Sequence, residues 1–138
     1  MILVDTMIII DIWKGNLNVK KCLEKYKFEP LAISAISIQE IYDGLGYTKV
    51  KLGDLVYKKI KEQFESILDD YYIIPLDLKI LKRAGIIKGE LRAKGIFIDY
   101  GDYIIGATAQ VMNAEKLITR NPDHFKEFNI SIESYELE

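Results

Sequence analysis

Cysteine and histidine are almost missing from this chain: each occurs once in 138 residues. A lone Cys22 can form no internal disulfide, so a reducing setting is expected. One Cys and one His also exclude the cages of thiolate and imidazole that hold structural zinc. Proline is scarce, and no Pro- or Ser-rich linker, repeat or low-complexity tract divides the chain. One domain over residues 1–138 is therefore expected. No apolar run approaches the ~18 residues of a membrane span. The N-terminus lacks a basic segment, and Asp5 interrupts its first apolar run, so a cytoplasmic protein without a membrane partner is expected. A net charge of −2 leaves no global basic field. A nucleic-acid partner would need a local basic patch or a metal.

What is present is an alternation of short β-branched runs with amphipathic ones. The pattern predicts strands near Ile2–Val4, Leu31–Ser34, Ile73–Pro75, Lys116–Thr119 and Ile130–Ile132. It predicts helices over Met7–Trp13, Val19–Tyr26, Ile38–Tyr47, Asp54–Tyr71, Leu78–Ala93 and Tyr100–Met112, with a short one at Pro122–Phe125. Such alternation implies an α/β fold in which a parallel sheet is covered by helices on both faces. Ligands in these folds bind beyond the carboxyl ends of the strands.

Acidic or amide residues stand at that edge: Asp5, Glu40, Asp102 and Asn121 each follow an apolar segment. Crowded carboxylates repel one another and resist ionising unless a cation sits among them. Oxygen ligands suit Mg²⁺ or Mn²⁺, which points to metal-assisted phosphodiester chemistry. A plainer explanation competes, because most of these residues also resemble helix caps. Ser37 with Glu40 has the form of a capping box. Asp99 can cap the Tyr100 helix, with Asp102 in its first turn. Asn121 precedes Pro122, as an N-cap precedes proline at the first helical position. Asp5 is the exception, since an unpaired carboxylate at the end of an apolar strand is costly.

Four segments in order then carry a family likeness: Ile2-Leu-Val-Asp5-Thr6, Ile36-Ser-Ile-Gln-Glu40-Ile-Tyr-Asp-Gly44-Leu, Asp102-Tyr-Ile-Ile-Gly-Ala-Thr-Ala109, and Leu117-Ile-Thr119-Arg-Asn121-Pro-Asp-His-Phe125. Together they resemble the PIN-domain family, and within it the toxin ribonucleases of VapC type. The resemblance implies a three-layer α/β/α domain with a four- to five-stranded parallel sheet. It implies a metal-dependent endoribonuclease whose products carry a 5′-phosphate and a 3′-hydroxyl. The family's acidic positions fall on Asp5, Glu40 and Asp102, and its fourth on Asn121. Asp5 and Asp102 would hold Mg²⁺ or Mn²⁺, with Thr6 and Thr119 as the hydroxyls beside them. An antitoxin protein and a homodimer partner are implied as well, with helices near the N-terminus forming an apolar groove for one of them.

Three departures from the pattern stand out. Met7 replaces an Asn that often follows Asp-Thr. Asn121 replaces a possible carboxylate. Asp99 is an extra acid one turn before Asp102, and it or Asp123 can partly compensate. Arg120 is the basic residue favoured for phosphate contact. The lysine-rich stretches around Lys58 and Lys82 read equally as solvated faces and as RNA-binding patches. His124 sits beside Phe125 in the short last helix and is not read as a general base, and Asp11 is read as a solvated or salt-bridged residue in preference to a ligand. A housekeeping RNA-processing nuclease and a catalytically weak RNA-binding module remain as alternatives.

Overall fold

The computed structural model describes residues 1–137, so the last residue of the expected domain, 138, lies outside the described residues. Its centre is a five-stranded parallel sheet in the order β3-β2-β1-β4-β5. The strands are β1 (Ile2–Val4), β2 (Leu31–Ser34), β3 (Tyr72–Ile74), β4 (Lys116–Ile118) and β5 (Ile132–Glu133). The helices are α1 (Thr6–Trp13), α2 (Leu17–Glu24), α3 (Ala35–Leu52), α4 (Asp54–Leu68), α5 (Leu78–Ala93) and α6 (Tyr100–Val111), and a 3₁₀ turn spans Pro122–Phe125. Among the described residues, no helix is long and apolar enough to cross a membrane.

Side chains alternate across the sheet with a period of two, and the central strands are apolar on both faces because both are covered. Ile2, Val4, Ile33 and Ile118 pack with side chains of α1, α2, α3 and α4, including Ile8, Val19, Ile41 and Phe64. Leu3, Ala32 and Leu117 face α5 and α6 through Ile80, Ile87, Ile104 and Ile105. The chain leaves central β1 toward β2 and β3, then returns to build β4 and β5 on the other side. That reversal opens a crevice at the carboxyl ends of β1 and β4.

Several boundaries differ from the sequence expectation. α3 begins earlier and runs much further than Ile38–Tyr47. Its N-cap is Ser34, whose Oγ accepts the Ile36 N–H at 3.2 Å. Ser37 is therefore inside the helix, and the expected capping box with Glu40 does not form. Gly44 and Gly46 do not end the helix, because the buried anchors Ile41 and Leu45 hold it to the sheet. Gly53 does end it, with φ 91°, a conformation that favours glycine. α4 stops at Leu68 instead of Tyr71, β3 lies one residue earlier than expected, and β5 starts two residues later and ends one later. β5 is fastened by Glu133, which accepts from Tyr26, Lys25, Lys116 and Cys22 and is held well below the usual carboxylate range, at about 2.

Gly106 sits where α6 crosses Phe128, and a Cβ there would overlap the buried Phe128 ring. Gly106→Ala is expected to cost about 1–3 kcal/mol in denaturant unfolding, the range typical of overpacking. No loss of stability would mean that the Phe128 contact is not fixed.

Candidate active site

Register places the first acid. The Asp5 N–H donates to the Ile118 carbonyl at 2.9 Å, which sets Asp5 beside Thr119 at the paired ends of β1 and β4. Asp5 is 5% exposed. Its Oδ1 accepts the Thr6 N–H at 2.7 Å and its Oδ2 accepts the Thr119 hydroxyl at 2.7 Å. Asp5 thus serves as N-cap of α1, a structural role that its place at the end of an apolar strand did not announce. Each of its oxygens keeps a further lone pair.

Glu40 comes from the second turn of α3. Its Oε1 accepts the Thr6 hydroxyl at 3.0 Å, and that same hydroxyl lies 2.7 Å from the buried Ser37 Oγ. Gly101 closes over the carboxylate: a Cβ at Gly101 would stand 3.0 Å from Glu40 Oε1. Asp99 and Asp102 come from the start of α6. Asp99 occupies the N-cap position but makes no capping hydrogen bond, so its carboxylate remains free for other use. Asn121 likewise precedes the 3₁₀ turn without capping it through its side chain. Its backbone N–H instead donates to Thr119 Oγ1 at 3.0 Å.

Asp5, Thr6, Met7, Glu40, Asp99, Asp102, Asn121 and His124 line one cavity of about 330 Å³. Larger clefts exist. One of about 590 Å³ lies at the opposite edge of the sheet, beside Lys79, Arg83 and Asn113, and gathers no carboxylates. Chemistry, not size, singles out the acidic cavity.

Three of its acids are pushed above their ordinary pKa. Burial raises Asp5, against the hydrogen bonds from Thr119 and Thr6 that lower it. Glu40 is raised by burial and by repulsion from Asp5 and Asp99. Asp102 rises to about 6, through burial and the Asp5 charge, despite its contact with His124. A cation would relieve this repulsion, and donors that are nearly all oxygen fit a hard divalent ion. Within the cavity, Asp99, Asp102 and His124 each present one donor atom, all within 4.8 Å of one another.

Other expected residues fall elsewhere. Asp123 lies outside the acidic cavity and lines a neighbouring cleft with Phe97 and Lys126. Arg120 Nε lies 3.0 Å from Asp11 Oδ2 without pointing a hydrogen bond at it, so the contact is chiefly electrostatic. Asp11 is salt-bridged, but it is also buried and accepts the Tyr135 hydroxyl at 2.6 Å. Sequence reasoning missed this triad and missed the contact of His124 with Asp102, which spans 22 residues.

The family model described as the PIN domain matches residues 2–130. The chain belongs to the PIN-domain family. It is 36% identical to "Ribonuclease VapC1" of Methanocaldococcus jannaschii, over 95% of this chain and 85% of that protein. It is 30% identical to "Ribonuclease VapC10" of Mycobacterium tuberculosis, over 93% of this chain and 88% of that protein. Its fold superposes on a chain of the VapBC2 complex of Rickettsia felis, a complex solved with a promoter DNA fragment. The TM-score is 0.84 at 26% identity, covering 99% of this chain and all of that one. A chain of FitAcB from Neisseria gonorrhoeae gives a TM-score of 0.82 at 26% identity, covering 96% of both chains.

The raised acids make a pH prediction. A carboxyl whose folded pKa is raised contributes stability below its unfolded pKa, and that stability is lost as pH rises through the folded value. For Asp102 the window runs from 3.8 to about 6. In chelator, Asp102→Asn should therefore gain stability relative to the parent protein as pH rises through this window. Added Mn²⁺ should then favour the parent. Thermal melts of both proteins across that range check this, and a gap that stays constant with pH would contradict it.

Proposed function

We propose that this protein is a divalent-metal-dependent endoribonuclease and the toxin of a toxin–antitoxin pair, acting as one domain in the cytoplasm. The observation that carries the reading is the convergence of Asp5, Glu40, Asp99 and Asp102 on one cavity at the carboxyl edge of the sheet. The names of the relatives, ribonucleases of VapC type, supply the substrate class and agree with that chemistry.

Asp5 and Asp102 would hold Mg²⁺ or Mn²⁺, with Glu40 and Asn121 at the rim. When bound, such an ion polarises a phosphate and lowers the pKa of a water. The chain's own groups do the positioning. Thr119 fixes one oxygen of Asp5, and Thr6 fixes one oxygen of Glu40. The N-termini of α1 and α6 open at the cavity and offer their positive ends to a phosphate. Next to Asp99 in the chain, Tyr100 is exposed and Lys88 Nζ lies 5.3 Å from its ring centre, an aromatic–cation pair on which a base and its phosphate can rest. Arg120 serves the RNA less directly, because Asp11 already balances much of its charge.

The partner reading has its own support. An apolar groove of about 190 Å³ runs from Glu40 along α1, α3 and α4 past Ile10, Trp13, Ile41 and Phe64. A segment of an antitoxin laid there would reach the acidic cavity, and one structure similar to this chain is by its title a toxin–antitoxin complex. A second copy of the chain is the further partner taken in by this reading. Met7 and Asn121 in the cavity favour, as the second reading, a weakened enzyme that mainly binds RNA.

Asp5→Asn tests the assignment. Asn keeps an oxygen for the Thr6 N–H and can donate to the Thr119 hydroxyl, so the fold should persist. Mn²⁺-dependent cleavage of a mixed RNA pool should fall by at least about 100-fold, beyond the usual cost of losing a residue that merely supports a ligand. Undiminished cleavage would sink the site, and no cleavage by the parent protein would favour the binding module. Induced expression should arrest growth with the parent chain and not with Asp5→Asn. Unimpeded growth with an active parent would favour a housekeeping nuclease.

Asn121→Asp should tighten Mn²⁺ binding, since cation affinity follows the charge count of the ligands. Calorimetric titration of both proteins decides it, and equal affinities would remove Asn121 from the metal's surroundings.

A further inference from the structure

The nuclease reading draws on carboxylates and leaves His124 unused, although the chain has no other histidine. His124 projects from the 3₁₀ turn after β4 into the same cavity as Asp102. Its Nδ1 lies 2.9 Å from Asp102 Oδ2, and its side chain is 45% exposed. Asp99 completes a cluster in which one nitrogen and two carboxylate oxygens lie within 4.8 Å of one another. The donors come from two elements, with the first turn of α6 on one side and the 3₁₀ turn on the other.

A hydrogen bond explains a 2.9 Å contact, and so does membership of one coordination shell. Adjacent ligands around an octahedral ion with bonds of about 2.1 Å stand about 3 Å apart. Asp99 is the more telling residue. It sits in N-cap position, makes no capping hydrogen bond, and turns its carboxylate toward the other two donors. A histidine that only oriented Asp102 would need no third donor beside it.

The geometry points to His124 as a direct metal ligand, forming with Asp99 and Asp102 a mixed nitrogen–oxygen site on one flank of the acidic cavity. This rests on the reading that the cavity takes a divalent ion. It deepens that reading by fixing which ions the site prefers. Imidazole nitrogen suits Fe²⁺, Ni²⁺ and Zn²⁺, and Mn²⁺ takes it beside carboxylates more readily than Mg²⁺, which keeps to oxygen ligands and several waters. The site therefore favours transition ions, Mn²⁺ among them, over Mg²⁺. Asp5 and Glu40 face the other flank, where Thr119 and Thr6 donate to their carboxylates.

Pulsed electron paramagnetic resonance of the full chain with one equivalent of Mn²⁺, without RNA, tests this directly. The parent protein should show nitrogen coupling from a bound imidazole. His124→Gln should lose that coupling. The substitution lies at an exposed position, and the Gln amide can still donate to Asp102, so melting should be unchanged. Mn²⁺ affinity should fall by at least about tenfold, while Mg²⁺ affinity, read by competition, should change by less than about twofold.

Bound Mn²⁺ without nitrogen coupling would overturn the inference, as would equal losses for both ions. Either result would make His124 a positioning residue for Asp102. Failure of the parent protein to bind Mn²⁺ at all would overturn both the inference and the metal-dependent nuclease reading. Nitrogen-coupled Mn²⁺ in a protein that cleaves no RNA would leave this site standing and remove the nuclease reading alone.

Discussion

A nearly water-free carboxylate at the end of a buried strand is the constraint on which this structure turns. Asp5 continues β1, whose three residues are at most 1% exposed. It cannot be left without partners there, because an isolated buried charge is far more costly than a hydrogen-bonded one. The chain supplies the α1 N-terminus and the Thr119 hydroxyl. Both are consequences of parallel pairing between β1 and β4, which brings a helix start and the next strand's end to the same point. Had β4 run antiparallel, Thr119 would lie at the far end of the sheet.

Those partners do not neutralise the site. Glu40 and Asp102 are raised by burial together with neighbouring negative charge, so each further acid makes ionisation of the others harder. Such an arrangement costs stability in the absence of a cation, and that cost is a usual mark of a functional site. The surrounding residues are shaped to keep the carboxylates close. Gly101 leaves room for Glu40 where a larger residue would press on its carboxylate, and the Thr6 hydroxyl ties Glu40 to the first turn of α1. The Asp11–Arg120–Tyr135 contacts anchor the segment after β4 to α1 and to the C-terminal residues, which steadies Thr119 and Asn121 from behind.

How much of this was legible in the sequence follows from how local each signal is. The central strands were readable because Ile-Leu-Val and Leu-Ala-Ile-Ser are short, apolar and buried on both faces. Asp5, Glu40, Asp102 and Asn121 could be gathered into one site because a parallel α/β order sends every strand's carboxyl end to one edge. The far end of α3 was not legible: the pattern carried the helix through Gly44 and Gly46 but stopped at Tyr47, and residues 48–52 are mostly exposed and add no buried apolar anchor. Capping was misjudged in both directions. Ser37 looked like a cap and is buried against Thr6, while Asp5 looked like a pure ligand and is a cap. The contacts of His124 with Asp102 and of Arg120 with Asp11 join residues far apart in the chain, and no periodicity encodes them.

The end groups of the cleaved RNA probe the central claim most directly. In this account a cation held by these acids activates water for attack with the 3′-oxygen leaving, so Mn²⁺-dependent cleavage should leave a 5′-phosphate and a 3′-hydroxyl, and chelation should stop it. Attack by the RNA's own 2′-hydroxyl would leave a 2′,3′-cyclic phosphate and would need no metal. Finding 5′-phosphate ends lost on chelation is the result the account predicts. Cyclic phosphate ends, or cleavage that survives chelator, would contradict it.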